Sequence, residues 1–243
     1  MVVLGSMAAS SVLRAESLKG AHDASGISSA LNHFGVSQED MKKVLAAALE
    51  KGGDYADLFF EHTFNNYVGL QDGAVNRCNS NIDFGVGIRV LAGDQTGYAY
   101  VENVTLKEML NAARTAARIA TGGKATLPVA LTDKPIKTNY YSAKMPWEEV
   151  ILKNNMPYLQ RLNDRIFALD KRVHKVSASL TDTTSHILFC NSEGVMYYDY
   201  RPMVTLGAVC IMEENGKVEN GYAARAYRMG FEFLNDDVVE LLA

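Results

Sequence analysis

Only three cysteines, Cys78, Cys190 and Cys210, occur in 243 residues. They are too few and too scattered for a disulfide framework, and each is read as a reduced, partly buried thiol. An excess of positive charge is also missing: 24 Lys and Arg stand against 28 Asp and Glu, a net charge of −4. Nucleic-acid binding needs a basic face, so this balance argues against that class. No Gly-x-Ser-x-Gly turn exists to present a serine nucleophile. Gly85-x-Gly87 lies inside an extended run, not at a strand-to-helix turn, so no phosphate cradle is expected there. The opening stretch Met1–Ala15 is too short and too rich in small residues for a transmembrane helix. It reads instead as the apolar core and cleavage region of an export signal without its charged start, or as a tail added by a misplaced start codon.

What is present is globular. Hydrophobic residues make up 48% and charged residues 21%, and the length allows one large or two small domains. The most informative stretch runs from Asn81 to Asn103. Val86, Ile88 and Val90 share one face of an extended segment. The cluster Ala92-Gly93-Asp94-Gln95-Thr96-Gly97 supplies a tight reversal, and Tyr98, Tyr100 and Val101 fall in a second β-prone run. Gly85 and Gly87 flatten the opposite face, so a backbone or other bulky group is expected close to it. Ordinary sheet packing and a ligand-contacting surface are both compatible with that pattern.

Around this hairpin the chain reads in order. Residues 16–36 are rich in Ser, Gly and Ala without a sustained period and read as a linker. Ser37 caps a helix carrying Met41, Val44, Leu45, Ala48 and Leu49, and Gly52-Gly53 stops it. Tyr55–Phe64 is a strand, and Asp72-Gly73 is a hairpin turn between Asn66–Gln71 and Ala74–Asn79. Thr105 and Glu108 have capping-box spacing, with each side chain expected to satisfy the other's backbone donor. The helix that follows buries Leu106, Met109, Leu110, Ala113, Ala117 and Ala120. The segment from Ala125 to Ser142 is a connection. Pro146 suits the first turn of another helix, which Pro157 must break or kink before Leu159, Leu162, Ile166 and Leu169 resume the stripe. Strands follow from Val173, with hairpin signals at Ser192-Glu193-Gly194 and Asn215-Gly216. Asn235-Asp236-Asp237 begins a last helix that stops after about two turns, which reads as truncation. The fold class is α+β: helix, antiparallel β-meander and helix, then a second α+β part with helix and antiparallel hairpins.

Tyr98, Tyr100, Tyr197, Tyr198 and Tyr200 crowd two hairpins beside Arg89 and Arg201. Aromatic and guanidinium groups favour contact surfaces. Arg89, Tyr98, Tyr100 and Arg201 are therefore the candidate peptide-binding residues, for an extended peptide adding to a sheet edge. Sheet packing and dimer contacts are the plainer explanation of the same cluster.

The blocks NIDFGVGIR–AGDQTGYAY and Tyr200-Arg201-Pro202-Met203-Val204 through Glu213-Glu214-Asn215-Gly216-Lys217 agree in order and spacing with one known family. From about Met41 to its last residue the chain resembles the TldD/PmbA metallopeptidases, also called modulators of DNA gyrase. The resemblance implies an N-terminal α+β domain over 37–124, a connection over 125–145 and a central domain over 146–243, after a signal-like segment and linker over 1–36. It implies a zinc peptidase acting on flexible or unfolded peptides in the cytoplasm, paired with a like or paralogous subunit. An exported parent is the alternative if the first stretch is part of a signal.

The family's zinc helix carries His-Glu-x-x-x-His, a spacing that sets two imidazoles on one helix face with a glutamate to deprotonate bound water. Here His22, His33, His62, His174 and His186 precede Asp23, Phe34, Thr63, Lys175 and Ile187, so no catalytic residue, metal ligand or cofactor is assigned to this chain. His186 and Cys190 share a strand face, but four rises of about 3.3 Å separate them, too far for one zinc ion. The chain reads as an N-terminal fragment that supplies substrate enclosure and subunit contacts, inactive alone. A standalone, non-catalytic peptide-binding or assembly module is the alternative.

Overall fold

A computed structural model describes residues 26–122, 127–136, 141 and 143–243. The signal-like reading of Met1–Ala15 lies outside them.

The first element corrects the linker reading. Helix α1 spans Ile27–Phe34 and buries Ile27, Ala30 and Phe34. Gly35, at φ 67°, closes it, and the Val36 N–H reaches back to Leu31 O at 3.0 Å, which satisfies the last carbonyls through a left-handed residue. Eight residues are too few to show a sustained period. Helix α2 (Gln38–Leu49) is capped as expected, with the Asp40 N–H donating to Ser37 Oγ at 3.0 Å.

Strand β1 (Tyr55–Gln71) turns at Asp72-Gly73 into β2 (Ala74–Ala92). Both turn residues are left-handed, at φ 52° and 79°, the geometry that suits a two-residue hairpin. The separate strands expected at 55–64 and 66–71 are one. Gly93-Asp94 joins β2 to β3 (Gln95–Val101), in the register Ala92↔Gln95 through Val86↔Val101. Helix α3 (Leu106–Ile119) has half of the expected box: the Glu108 N–H donates to Thr105 Oγ1, but the Thr105 N–H donates to Asn103 O at 2.8 Å.

A two-residue strand β4 (Thr132–Asp133) follows. Pro146 precedes a 3-10 turn at Trp147–Glu149, not an α-helix, and a second 3-10 turn spans Leu152–Asn154. Pro157 sits in the first turn of α4 (Met156–Leu169), where its missing donor has no intrahelical partner to lose. Leu169 at the end of α4 is exposed rather than part of the buried stripe. Then come β5 (Val173–Asn191), β6 (Val195–Glu214) and β7 (Lys217–Tyr227), a 3-10 turn at Phe231–Phe233, and α5 (Asp236–Leu242). The Val238 N–H donates to the cap Asn235 Oδ1 at 3.0 Å.

The strands pair in the order β3-β2-β1-β5-β6-β4, with β7 also on β6. Pairing is antiparallel for β2–β3 and β6–β7 and parallel for β4–β6. The architecture is α+β. Two compact units divide the chain: Met1–His62, Asp83–Thr138 and His186–Tyr200 form one, and Thr63–Ile82, Asn139–Ser185 and Arg201–Ala243 the other. The long strands β1, β2, β5 and β6 give residues to both.

In the first unit, Ala56, Leu58, Phe60, Val86, Ile88, Val90, Leu188 and Met196 are buried with Met41, Val44 and Leu45 of α2 and Met109, Ala113 and Ala116 of α3. Alternation along each strand sends these residues to one face, and apolar burial there drives the helices onto the sheet. In the second unit, Val68, Leu70, Val176, Ala178, Leu180, Val204 and Leu206 pack with Leu159, Leu162 and Ile166 of α4 and Val238, Val239 and Leu242 of α5. Arg165 of α4 pairs with Glu240 of α5 at 2.8 Å, and Trp147 Nε1 donates to Met229 O at 2.8 Å.

Candidate functional site

The β2–β3 hairpin carries three of the four residues singled out by the sequence. Arg89 lies directly opposite Tyr98, and Gly87 opposite Tyr100, so the three side chains share the face opposite Val86, Ile88 and Val90. Tyr98 and Tyr100 are 57% and 61% exposed. The Tyr100 hydroxyl donates to Glu102 Oε1 at 3.3 Å. The bulky neighbour expected above the glycines is β3 itself. A Cβ on Gly87 would stand 2.5 Å from the Tyr98 hydroxyl, and one on Gly85 would stand 2.5 Å from Val101 O. The Tyr98 ring therefore lies across a floor that only glycine leaves open.

Arg89 is engaged beneath this surface. Its Nε donates to Asp57 Oδ2 at 3.0 Å and its Nη2 to the same oxygen at 2.5 Å. The Asp57 side chain is almost fully buried while that of Arg89 is about half exposed. Hydrogen bonding to Asp57 pushes the Arg89 guanidinium above its ordinary value. Burial raises the neighbouring Tyr55 hydroxyl, which accepts from Asn191 Nδ2 at 3.4 Å. Arg89 thus stiffens the base of the hairpin through a charged bond to a desolvated carboxylate. Arg201 lies on β6, in the second unit.

The tyrosines of the β5–β6 hairpin separate by strand alternation. Tyr197 stacks on Phe189 with centroids 5.0 Å apart. Tyr198 and Tyr200 turn to a cluster that no local sequence signal marks. Its members are His33 of α1, His62 at the middle of β1 and His186 of β5. His62 Nδ1 and His33 Nε2 share a hydrogen bond of 2.9 Å, and His186 Nδ1 bonds the Tyr198 hydroxyl at 2.7 Å. The His33 and His186 rings stack at 4.5 Å, 26° from parallel, and Tyr200 meets His186 edge-on at 5.3 Å. Phe84 of β2 meets His62 edge-on at 4.9 Å.

Face-to-face stacking turns two of these rings alongside each other instead of aiming both at one point, which a metal would require. Among the described residues, no group of three or more His, Cys, Asp or Glu is arranged to hold a metal ion. Cys190, on the same strand as His186, lies buried with its Sγ 3.7 Å from Met41 Sδ, and burial pushes its thiol well up.

The second unit holds a buried carboxyl that no local sequence signal marks. Asp182 is 4% exposed and accepts from Asn66 Nδ2 at 2.8 Å. Burial pushes it up to about 6, against an opposing effect of the Asn66 bond, and the charge of Glu148 adds to the rise. Thr184 donates to Glu148 Oε2 at 3.3 Å.

A helix-covered antiparallel hairpin unit followed by a second α+β unit with its own helices defines a two-part scaffold, and known proteins share it. A profile described as PmbA/TldA metallopeptidase domain 1 matches residues 56–120, and one described as PmbA/TldA metallopeptidase central domain matches residues 145–243. The chain belongs to the TldD/PmbA metallopeptidase family. It is 31% identical over 196 residues to a metalloprotease TldD homolog of Haemophilus influenzae, a match over 78% of this chain and 40% of that protein. A metalloprotease TldD homolog of Buchnera aphidicola is 28% identical over 211 residues, 86% of this chain and 43% of the relative. The crystal structure of a candidate modulator of DNA gyrase from Bacteroides thetaiotaomicron matches with a TM-score of 0.67 at 13% identity, over 84% of this chain and 48% of that one; at that identity the likeness concerns the fold. The chain spans about two fifths of the length of these curated relatives. Those relatives are named metalloproteases, but the described residues here offer no donor set that fits such a metal. No helix among the described residues is long and apolar enough to cross a membrane.

Proposed function

We propose that this chain is the N-terminal, substrate-handling part of a TldD/PmbA-type zinc metallopeptidase that hydrolyses flexible or unfolded peptides. The observation that carries the reading is the place of β3 at the end of the strand order, with its own Tyr98 and Tyr100 exposed. An edge strand offers unpaired backbone groups, and an extended peptide satisfies them by adding one more strand. The two phenol rings supply apolar contact with little rotamer entropy to lose. Arg89 holds the hairpin through Asp57 and stays about half exposed beside the two rings, open to the same peptide. Zinc chemistry belongs to parts of the parent outside this chain, whose role is to enclose substrate and to contact a like or paralogous subunit in the cytoplasm.

Tyr98→Ala with Tyr100→Ala, placed together in a full-length parent, should raise KM for an unfolded peptide severalfold and leave kcat near its starting value. An unchanged KM in a stably folded double variant would reject the edge as the peptide's seat. Arg89 is a poorer probe, because its loss also strands Asp57.

A further inference from the structure

The first half of β2 runs along an edge of its own, in the second unit. Among the described residues β2 has two strand neighbours, β1 and β3, and β3 pairs with Val86–Ala92. Every residue from Ala74 to Ile82 is exposed. The stretch has no proline or lysine of the kind that blunts an edge against pairing. We propose that Ala74–Ile82 is the contact between two copies of this chain, which join their sheets by antiparallel pairing of this strand with itself. Such pairing rests on the like-subunit reading above and is independent of the peptide's seat at β3.

The hairpin decides which backbone groups are offered. Its two-residue turn at Asp72-Gly73 makes Gln71 and Ala74 the closing, mutually bonded pair. Gly69 then faces Asn76, and a Cβ on Gly69 would stand 2.9 Å from Asn76 Oδ1. In that register Ala74, Asn76 and Cys78 bond to β1, while Val75, Arg77 and Asn79 turn their N–H and C=O to the free side.

Symmetry limits how two such edges meet. A twofold axis between antiparallel edges stands perpendicular to the sheet, keeps like faces together and sets one residue opposite its own copy. An axis at Arg77 would oppose two guanidinium groups, and like charges directly opposite destabilise a pair. An axis at Asn79 would set Val75 against the partner's Asp83. An axis at Cys78 sets Arg77 against the partner's Asn79, Asn76 against the partner's Ser80, and Ala74 against the partner's Ile82. It covers Ile82, which is 45% exposed in the single chain. Arg77 and Asn79 then exchange backbone hydrogen bonds across the axis. Cys78, an exposed free thiol, faces its copy at a non-hydrogen-bonded position, where side chains come closest. The Arg77 guanidinium lies over the Tyr67 ring of β1, 5.2 Å from its centroid, which draws its charge back from the axis.

Sedimentation of the whole chain over a range of concentrations tests this, with two variants that change only the charge facing Arg77. Asn79→Glu sets a carboxylate opposite each Arg77 and should tighten the dimer severalfold; Asn79→Lys sets an ammonium there and should weaken it by a similar factor. Asn79 is exposed, so neither change disturbs the core, and thermal unfolding verifies that. Oxidation by dioxygen with a copper catalyst should join two parent chains through Cys78, join Asn79→Lys chains more slowly, and leave Cys78→Ser chains unlinked. A parent chain that stays monomeric at every concentration would overturn the edge and the like-subunit reading together. A dimer that neither responds to the two charges nor links through Cys78 would overturn the edge alone.

Discussion

Asp182 sets the clearest pH dependence at the level of single residues. Its folded value of about 6 stands above the unfolded 3.8, so the folded chain holds the extra proton between about pH 4 and 6. Its contribution to stability is present at acid pH and is lost as pH rises through that window. Asp182→Asn should therefore stabilise the chain at pH 7.5, by on the order of 1–3 kcal/mol, with little difference at pH 4; equal denaturation midpoints at pH 7.5 would contradict this. Arg89 gives the opposite case. Arg89→Ala leaves Asp57 buried without its cation, a loss of about 3 kcal/mol in chemical denaturation, and adding Asp57→Asn should recover much of it. Neither role is legible in the sequence. Arg89 was recognisable as a residue beside tyrosines, but its partner is 32 positions away, and only the pairing of β1 with β2 brings Asp57 beneath it. A histidine followed by glutamate is a local pattern, and it says nothing about three rings converging from α1, β1 and β5.

Among the elements, those set by local partners are legible in the sequence. Ser37, Asn235, Asp72-Gly73 and Asn215-Gly216 act through partners within a few residues, and each forms the predicted cap or turn. Ser37→Ala should cost about 1 kcal/mol of stability. Strand lengths were less legible, because β1, β2 and β5 exchange apolar for polar residues halfway along, as at His62 and Asp182–His186, and a period-2 signal fades there. Helix α1 escaped because eight residues give only two turns of pattern. Gly97 shows a contact that propensity cannot foresee: a Cβ there would collide with Ala116 O of α3. Gly97→Ala should force α3 away from β3 and cost about 1–3 kcal/mol, measured by thermal or denaturant unfolding; an unchanged midpoint would mean that the helix shifts freely.

For the whole molecule, the family was legible from two blocks of residues, and the α+β class from the alternation of caps, turns and periodic runs. The interleaving of the two units was not, since it depends on long strands that serve one core in one half and a second core in the other. A reading along the sequence sees neighbours in order and has no view of such sharing. The edge position of β3 belongs to this scale too, for it follows from the pairing order of all seven strands. The most direct test is amide exchange across Gln95–Val101 in this chain with and without an unfolded polypeptide. Strand addition predicts that the outward amides of β3 gain protection on binding, and that Tyr98→Ala with Tyr100→Ala removes the gain. A peptide that binds while β3 exchanges at its free rate would contradict the account.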